Sequence, residues 1–237
     1  MTLRLRIAVA ERTATKNDVP TVMGLIEKAR EWLATKGTDQ WAKPYPDEDG
    51  KLARVQEGID RGETFIVWDE AEAAATVTIK TERNRVVWSE QTTHCDLATP
   101  AVYVHRLITA PDYAGLGLGA ELIDWAGLRG WRSNRAEWVR LDAWTTNLAL
   151  HKYYLGTGFE DCGRYQDDPL YRSGALFQKP VTAIEPANLH IPHFTGSAAD
   201  FALPDTRAAR PDRPAGPAGP PRGDQRRDTA AKVSAMA

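Results

Sequence analysis

The run Asp112-Tyr113-Ala114-Gly115-Leu116-Gly117-Leu118-Gly119-Ala120 constrains this chain more than any other stretch. It follows a strand-like segment, Val102 to Thr109, and opens an amphipathic helix carrying Leu118, Leu122, Trp125 and Ala126 on one face. Alternating glycines leave backbone N–H groups bare and let another molecule approach the main chain. At a helix N-terminus those groups and the helix dipole favour an anion, most often a phosphate. Two other readings compete on the residues alone. Gly115-x-Gly117-x-x-Ala120 satisfies the short dinucleotide-binding pattern between a strand and a helix. Against it, Pro111 and its neighbours separate the strand end from the first glycine, and the loop lies behind a hairpin rather than in a leading unit. Asp142 also falls farther on than the roughly 20 residues expected of a ribose-binding acid. The third reading is a tight turn without a ligand, for which three glycines are more than the turn needs. Each costs about 0.5–1 kcal/mol wherever it falls inside the helix.

Around this loop the chain alternates strand and helix signals. Leu3, Leu5, Ile7 and Val9 predict a first strand with one buried face. Asp18 reads as an N-cap with Pro20 in the first turn, and Val22, Leu25, Ile26, Ala29 and Leu33 continue the helix to a cap at Gly37. A polar loop from Thr38 to Gly50 precedes a shorter helix over about Leu52 to Ile59. Thr64 to Trp68 and Ala75 to Lys80 predict a hairpin over the acidic turn Asp69 to Glu72. Beyond the glycine loop come a strand at Trp138 to Trp144, a helix at Asn147 to Leu155, and strands at Phe159 to Arg164 and Ala175 to Val181. The order predicts mixed α and β structure on a mostly antiparallel sheet, with strand-helix-strand crossovers in the second half.

Composition divides the 237 residues into a domain and a tail. All 8 tryptophans lie between Trp32 and Trp144, while prolines crowd the end from Pro186 to Pro221. Boundaries are expected at 1–182 for the domain, 183–204 for an extension of uncertain order, and 205–237 for a disordered Pro/Arg/Ala-rich tail. A net charge of -2 gives no case for nucleic-acid binding, and no apolar run is long enough to span a membrane. Cys95 and Cys162 match no ligand or redox spacing, so reduced thiols in a cytoplasmic protein are expected. His94 has no second ligand pair, which leaves no case for a metal.

Two stretches in order carry a resemblance. Leu107 to Gly119 resembles the acetyl-CoA loop of the GNAT N-acetyltransferase superfamily, whose common form is Arg/Gln-x-x-Gly-x-Gly/Ala after the fourth strand. Asn147 to Phe159 resembles the family's following helix, with Tyr154 seven residues after Asn147 and Gly158-Phe159 closing the motif. The element order from Leu3 to Val181 is also similar. The resemblance implies a single α/β (α+β) domain, with a mixed, mostly antiparallel sheet of about six to seven strands and about four helices. It departs at one place: Ala114 stands where the family usually has Arg or Gln, which removes a side-chain donor from the pyrophosphate site.

As an implication of the resemblance, the chain is an acetyl-CoA-dependent N-acetyltransferase acting on a primary amine by direct attack. The backbone at Leu107, Ile108 and Thr109 would pair with pantetheine and polarise the acetyl carbonyl. Ala114, Gly115, Leu116, Gly117, Leu118, Gly119 and Ala120 would hold the pyrophosphate. Asn147 would bind the pantetheine arm or a nearby backbone group, and Tyr154 would serve as general acid at the thioester sulfur. The alternative for Tyr154 is a packing aromatic. His105 suits a general base by its ordinary pKa near 6.5, or else is packed inside the sheet. Asp142 would orient the amine or relay a proton, or is simply a polar strand end. In the loop between the first helices, Gln40, Trp41 and Tyr45 beside Asp39, Asp47, Glu48 and Asp49 suit a small cationic amine, through cation–π and charge contacts. A solvated loop with Trp41 folded on the core explains the same residues. Rival readings are a non-catalytic acyl-CoA sensor, supported by Ala114, and an acetyltransferase acting on protein N-termini or lysines. The oligomeric state stays open between monomer and homodimer.

Overall fold

Leu5, Ile7 and Ala8 draw Leu5–Val9 into the first strand, β1, which pairs antiparallel with β2 (Thr64–Asp69). The computed structural model describes residues 4–185, so Leu3, all but the first three residues of the expected 183–204 extension, and the expected 205–237 tail lie outside the described residues. β1 is an edge strand. None of its side chains is fully buried and Val9 is exposed, so the expected single buried face is not realised. β2 turns into β3 (Glu72–Lys80) through Glu70 and Ala71 alone, because Asp69 and Glu72 pair directly. Glu70 takes φ 53, the left-handed geometry that tight hairpins require.

The sheet continues through β4 (Ala101–Thr109), β5 (Trp138–Ala143), β6 (Glu160–Arg164) and β7 (Ala175–Pro180), in the spatial order β1-β2-β3-β4-β5-β7-β6. Every neighbouring pair is antiparallel except β4–β5, where helix α3 (Leu118–Asn134) makes the crossover that a parallel pair needs. Successive strand residues face opposite sides. Ile66 joins the cluster of α1 (Val19–Thr35) and α2 (Glu48–Asp60), while Phe65 stacks edge-on against Trp125 of α3, with ring centres 4.9 Å apart. The helices therefore cover both faces. α3 lies close on its face: a Cβ on Gly130 would sit 2.3 Å from Val102 and one on Gly127 2.6 Å from Val139. The last helix, α4 (Leu148–Gly156), follows β5.

Local signals differ from the sequence expectation at two helix starts. Asp18 stands at the N-cap of α1 but makes no side-chain cap; its carboxylate takes the Glu11 N–H, and Asn17 takes the N–H of Val19 instead. α2 begins at Glu48 rather than near Leu52, because Asp47 accepts from the Gly50 N–H and Glu48 and Asp49 place acidic charge in the first turn.

The cysteine expectation is overturned. Cys95 and Cys162 are joined in a disulfide with their Cα atoms 5.4 Å apart. Their separation of 67 residues hides the pairing in the sequence. Folding brings them together because 92–95 runs along the outer strand β6: Thr93 bridges Gly163, the His94 N–H reaches the Cys162 carbonyl, and the Arg164 N–H reaches that of Thr92. The cysteines therefore give no argument for a reducing compartment. Among the described residues no helix is long and apolar enough to cross a membrane.

Candidate active site

The sheet opens in the middle. Thr78 faces His105 but Thr76 faces Ile108, so β4 carries one residue more than β3 across this step. Arg106 absorbs the excess at φ 46, a conformation that costs a side-chain-bearing residue about 1–2 kcal/mol. Pairing of β4 with β5 ends at Val104 and Leu141, although β4 runs on to Thr109 and β5 to Ala143. From His105 onward the β4 edge toward β5 is left without a strand. Val104, His105, Arg106 and Leu107 line the resulting cleft in succession, facing Leu141 to Ala143 of β5.

The cleft holds about 180 Å³. Asp142 and Ala143 of β5 and Tyr154 of α4 line it, with Trp41, Tyr45 and Arg54 from the α1–α2 region and Tyr171 and Arg172 from the β6–β7 loop. Asp142 is buried at the end of β5. Its Oδ2 accepts the Tyr171 hydroxyl at 2.8 Å, and its Oδ1 lies 3.4 Å from His105 Nδ1 without forming a hydrogen bond. Burial pushes the Asp142 carboxyl up to about 6, against the Tyr171 hydrogen bond and the positive fields of Arg106 and Arg54. Burial pulls His105 down to about 3, helped by the charges of Arg106, Lys80 and Arg54. At neutral pH the pair is an ionised Asp142 beside a neutral His105.

Tyr154 packs among Phe159, Phe177 and Tyr153, and also borders the cleft. Burial, then the fields of Tyr153 and Asp142, hold its phenol well above the ordinary range, so it stays protonated. No hydrogen bond within the described residues uses its hydroxyl. The side chain thus packs as the alternative reading expected and also borders the cleft.

At the far end of β4 the 3-10 turn Pro111–Tyr113 leads into the glycine loop. Gly115 and Gly117 take φ 81 and 79, with open space where a Cβ would stand. Gly117 is the N-cap of α3 and offers no side-chain cap, so the first-turn N–H groups of Leu118, Gly119 and Ala120 have no intrahelical partner. They form an electropositive cradle for an anion. Ala114 is exposed and extended, and brings no side-chain donor.

The remaining anticipated residues are spread differently. Asn147 caps α4 by accepting from the Leu150 N–H at 3.0 Å and donates to Gln40 at 2.7 Å, so both side chains serve the fold while Gln40 borders the cleft. Trp41 packs partly on the α1–α2 core and Tyr45 donates to Asp168 at 2.7 Å. Both also line the cleft. Asp39 takes the Trp144 indole and Thr146 hydroxyl, which hold it below the usual carboxylate range. Arg54, Arg106 and Tyr171 escaped the sequence reading. Arg54 lies one helical position from core-facing Val55, and Tyr171 sits in a polar loop; neither position carries a local motif.

Residues 26–159 match the acetyltransferase (GNAT) family. An uncharacterized N-acetyltransferase of Bacillus subtilis strain 168, YesJ, is 30% identical over 175 residues, which cover 72% of this chain and 89% of its own. Crystal structures of GNAT-family acetyltransferases from Listeria monocytogenes 4b F2365 and Streptococcus agalactiae 2603 match with TM-scores of 0.58 and 0.56. They are 22% and 20% identical, cover 76% of this chain, and are covered over 98% and 97% of their own length, a likeness that speaks for the fold.

Proposed function

Since the chain belongs to the acetyltransferase (GNAT) family, we propose that it moves the acetyl group of acetyl-CoA to the primary amine of a small molecule, by direct attack in the cleft between β4 and β5. The observation that carries this reading is the split of the sheet itself. It leaves one free backbone edge running from an N–H cradle to a buried carboxylate and a protonated phenol. The residues fit acetyl-CoA. The β4 edge at Leu107 to Thr109 is free to pair with the amides of the pantetheine arm, and the open space over Gly115 and Gly117 lets a pyrophosphate reach the main chain. When bound, acetyl-CoA supplies a thioester carbonyl as electrophile and a thiolate as leaving group.

The roles of the chain's own groups follow from their charge states. Ionised Asp142 accepts the proton that the amine must lose as the C–N bond forms. His105, neutral and 3.4 Å away, is too weak a base for that task and shapes the pocket around the carboxylate. Tyr154 donates its phenolic proton toward the sulfur as the C–S bond breaks, so no bare thiolate leaves into the buried site. Tyr171 holds Asp142 in place through its hydroxyl.

The test is amine-dependent release of free thiol from acetyl-CoA by the full-length protein, with the acetylated product identified by mass. Tight acetyl-CoA binding with no thiol release across a broad amine panel would support the non-catalytic sensor and overturn the proposal. Turnover confined to protein N-termini or lysines would overturn the small-molecule acceptor.

A further inference from the structure

Two buried polar atoms that lack a hydrogen-bond partner among the described residues, Arg54 Nε and Asp142 Oδ1, belong to side chains lining the same cleft, and they carry opposite charge. No ion pair or hydrogen bond within the described residues engages the Arg54 guanidinium, which lies 5.1 Å from the centre of the Tyr45 ring. Leaving such a cation partly desolvated and unpaired costs free energy until an acceptor arrives. Its planar fork matches the two oxygens of a carboxylate.

The rest of the wall favours the same sign of ligand. Asp142 is the sole carboxylate lining the cleft among the described residues, against Lys43, Arg54, Arg106 and Arg172, with Lys51 already paired to Glu48. The acidic side chains that the α1–α2 loop offers are mostly engaged: Asp39 by Trp144 and Thr146, Asp47 as a helix cap, Glu48 by Lys51. Asp168 is taken up by Tyr45. What the cleft presents is one carboxylate at the reaction end and an unanswered guanidinium on the α2 side.

Resting on the acetyl-transfer reading above, we infer that the acceptor is a small amino acid-like molecule, bearing its primary amine and a carboxylate on one short skeleton, with the amine at Asp142 and the carboxylate at Arg54. A lysine within a protein brings no such carboxylate, and a polyamine would place a second cation against Arg54. Lys43 and Arg172, nearer the surface, add attraction for the incoming anion.

The experiment compares matched acceptors on the full-length protein with acetyl-CoA: lysine against cadaverine, phenylalanine against phenethylamine, and phosphoethanolamine as a phosphate-bearing amine. Each amino acid should exceed its decarboxylated twin in kcat/KM by on the order of 100-fold. In Arg54→Met that ratio should collapse at least about tenfold, with Arg54→Lys restoring part of it. Preference for the decarboxylated twins or for the phosphate-bearing amine overturns the inference. So does a carboxylate preference that survives Arg54→Met. Thermal shift in the presence of CoA separates this from the reading beneath it. Amino-acid-specific stabilisation that Arg54→Met abolishes, with no thiol release from any amine, would sink acetyl transfer and leave the carboxylate subsite standing. Neither stabilisation nor turnover would overturn both.

Discussion

In the proposed reaction Tyr154 and Asp142 divide the proton traffic between a phenol that burial keeps protonated and a carboxylate that burial pushes up to about 6. Replacing Tyr154 by Phe keeps the ring contacts with Phe159 and Phe177 and removes only the hydroxyl. We expect kcat to fall by roughly 100-fold or more while the acetyl-CoA dissociation constant is unchanged, as single-turnover kinetics and equilibrium titration will show. For Asp142 the sign follows from the proposed role. A base must be deprotonated, and its folded pKa lies at about 6, so kcat/KM should rise with pH through about 6 and level off above it. In Asp142→Asn the rate drops about 100-fold and that acid limb disappears from the pH profile. If the limb persists in the variant, the titrating base is another group. His105 shows how surroundings reset what a residue type suggests by itself. Its ordinary pKa suits a base, yet desolvation and three nearby cations pull it down; Arg106 is its neighbour on the same strand, whereas Lys80 and Arg54 come from β3 and α2.

At the scale of elements, the glycine loop and α4 were legible in the sequence because each is a short-range pattern. The φ values of Gly115 and Gly117, the bare first turn of α3 and the capping Asn147 all follow from residues a few positions apart. The α1 N-cap and the start of α2 were less legible, since several acidic and amide side chains competed for the same N–H groups. The bulge in β4 had no signal at all. It arises from register against β3, and an arginine in left-handed geometry is not a residue one would choose for it. Arg54 and Tyr171 were invisible for a related reason: Tyr171 reaches Asp142 from a loop beyond β6 and Arg54 joins the same cleft from α2, and only the tertiary fold brings them there. The loop carries its own prediction at Ala114. Ala114→Arg adds a charge-assisted donor beside the N–H cradle and should tighten acetyl-CoA binding about tenfold in an equilibrium titration, with kcat little changed. Unaltered affinity would mean that the backbone already supplies all the anion binding this loop can give.

Across the whole molecule, the covalent staple lies at the outer strands of the sheet and the candidate site in its middle. Behind the outer strands, Arg140 is fully buried and donates to Gln178, Tyr103 and the Asp96 carbonyl, joining β5, β7 and β4 to the segment that carries Cys95. The disulfide closes that segment onto β6 over 67 residues. Replacing both cysteines by serine should lower the unfolding free energy by roughly 4 kcal/mol on loop-closure grounds, measured by denaturant titration, and reductant should destabilise the parent protein but not the double variant. Equal stability of parent and variant would remove the covalent contribution from the fold. The outer strand is thus covered, while the strand left open is the fourth of seven. A row of unsatisfied ladder groups on a sheet's rim invites any passing chain to zip on and begin a fibre. Set in the interior, with β5 still joined at the base, the same stickiness is screened by the protein's own neighbours and suits a slim, extended guest that brings amides of its own.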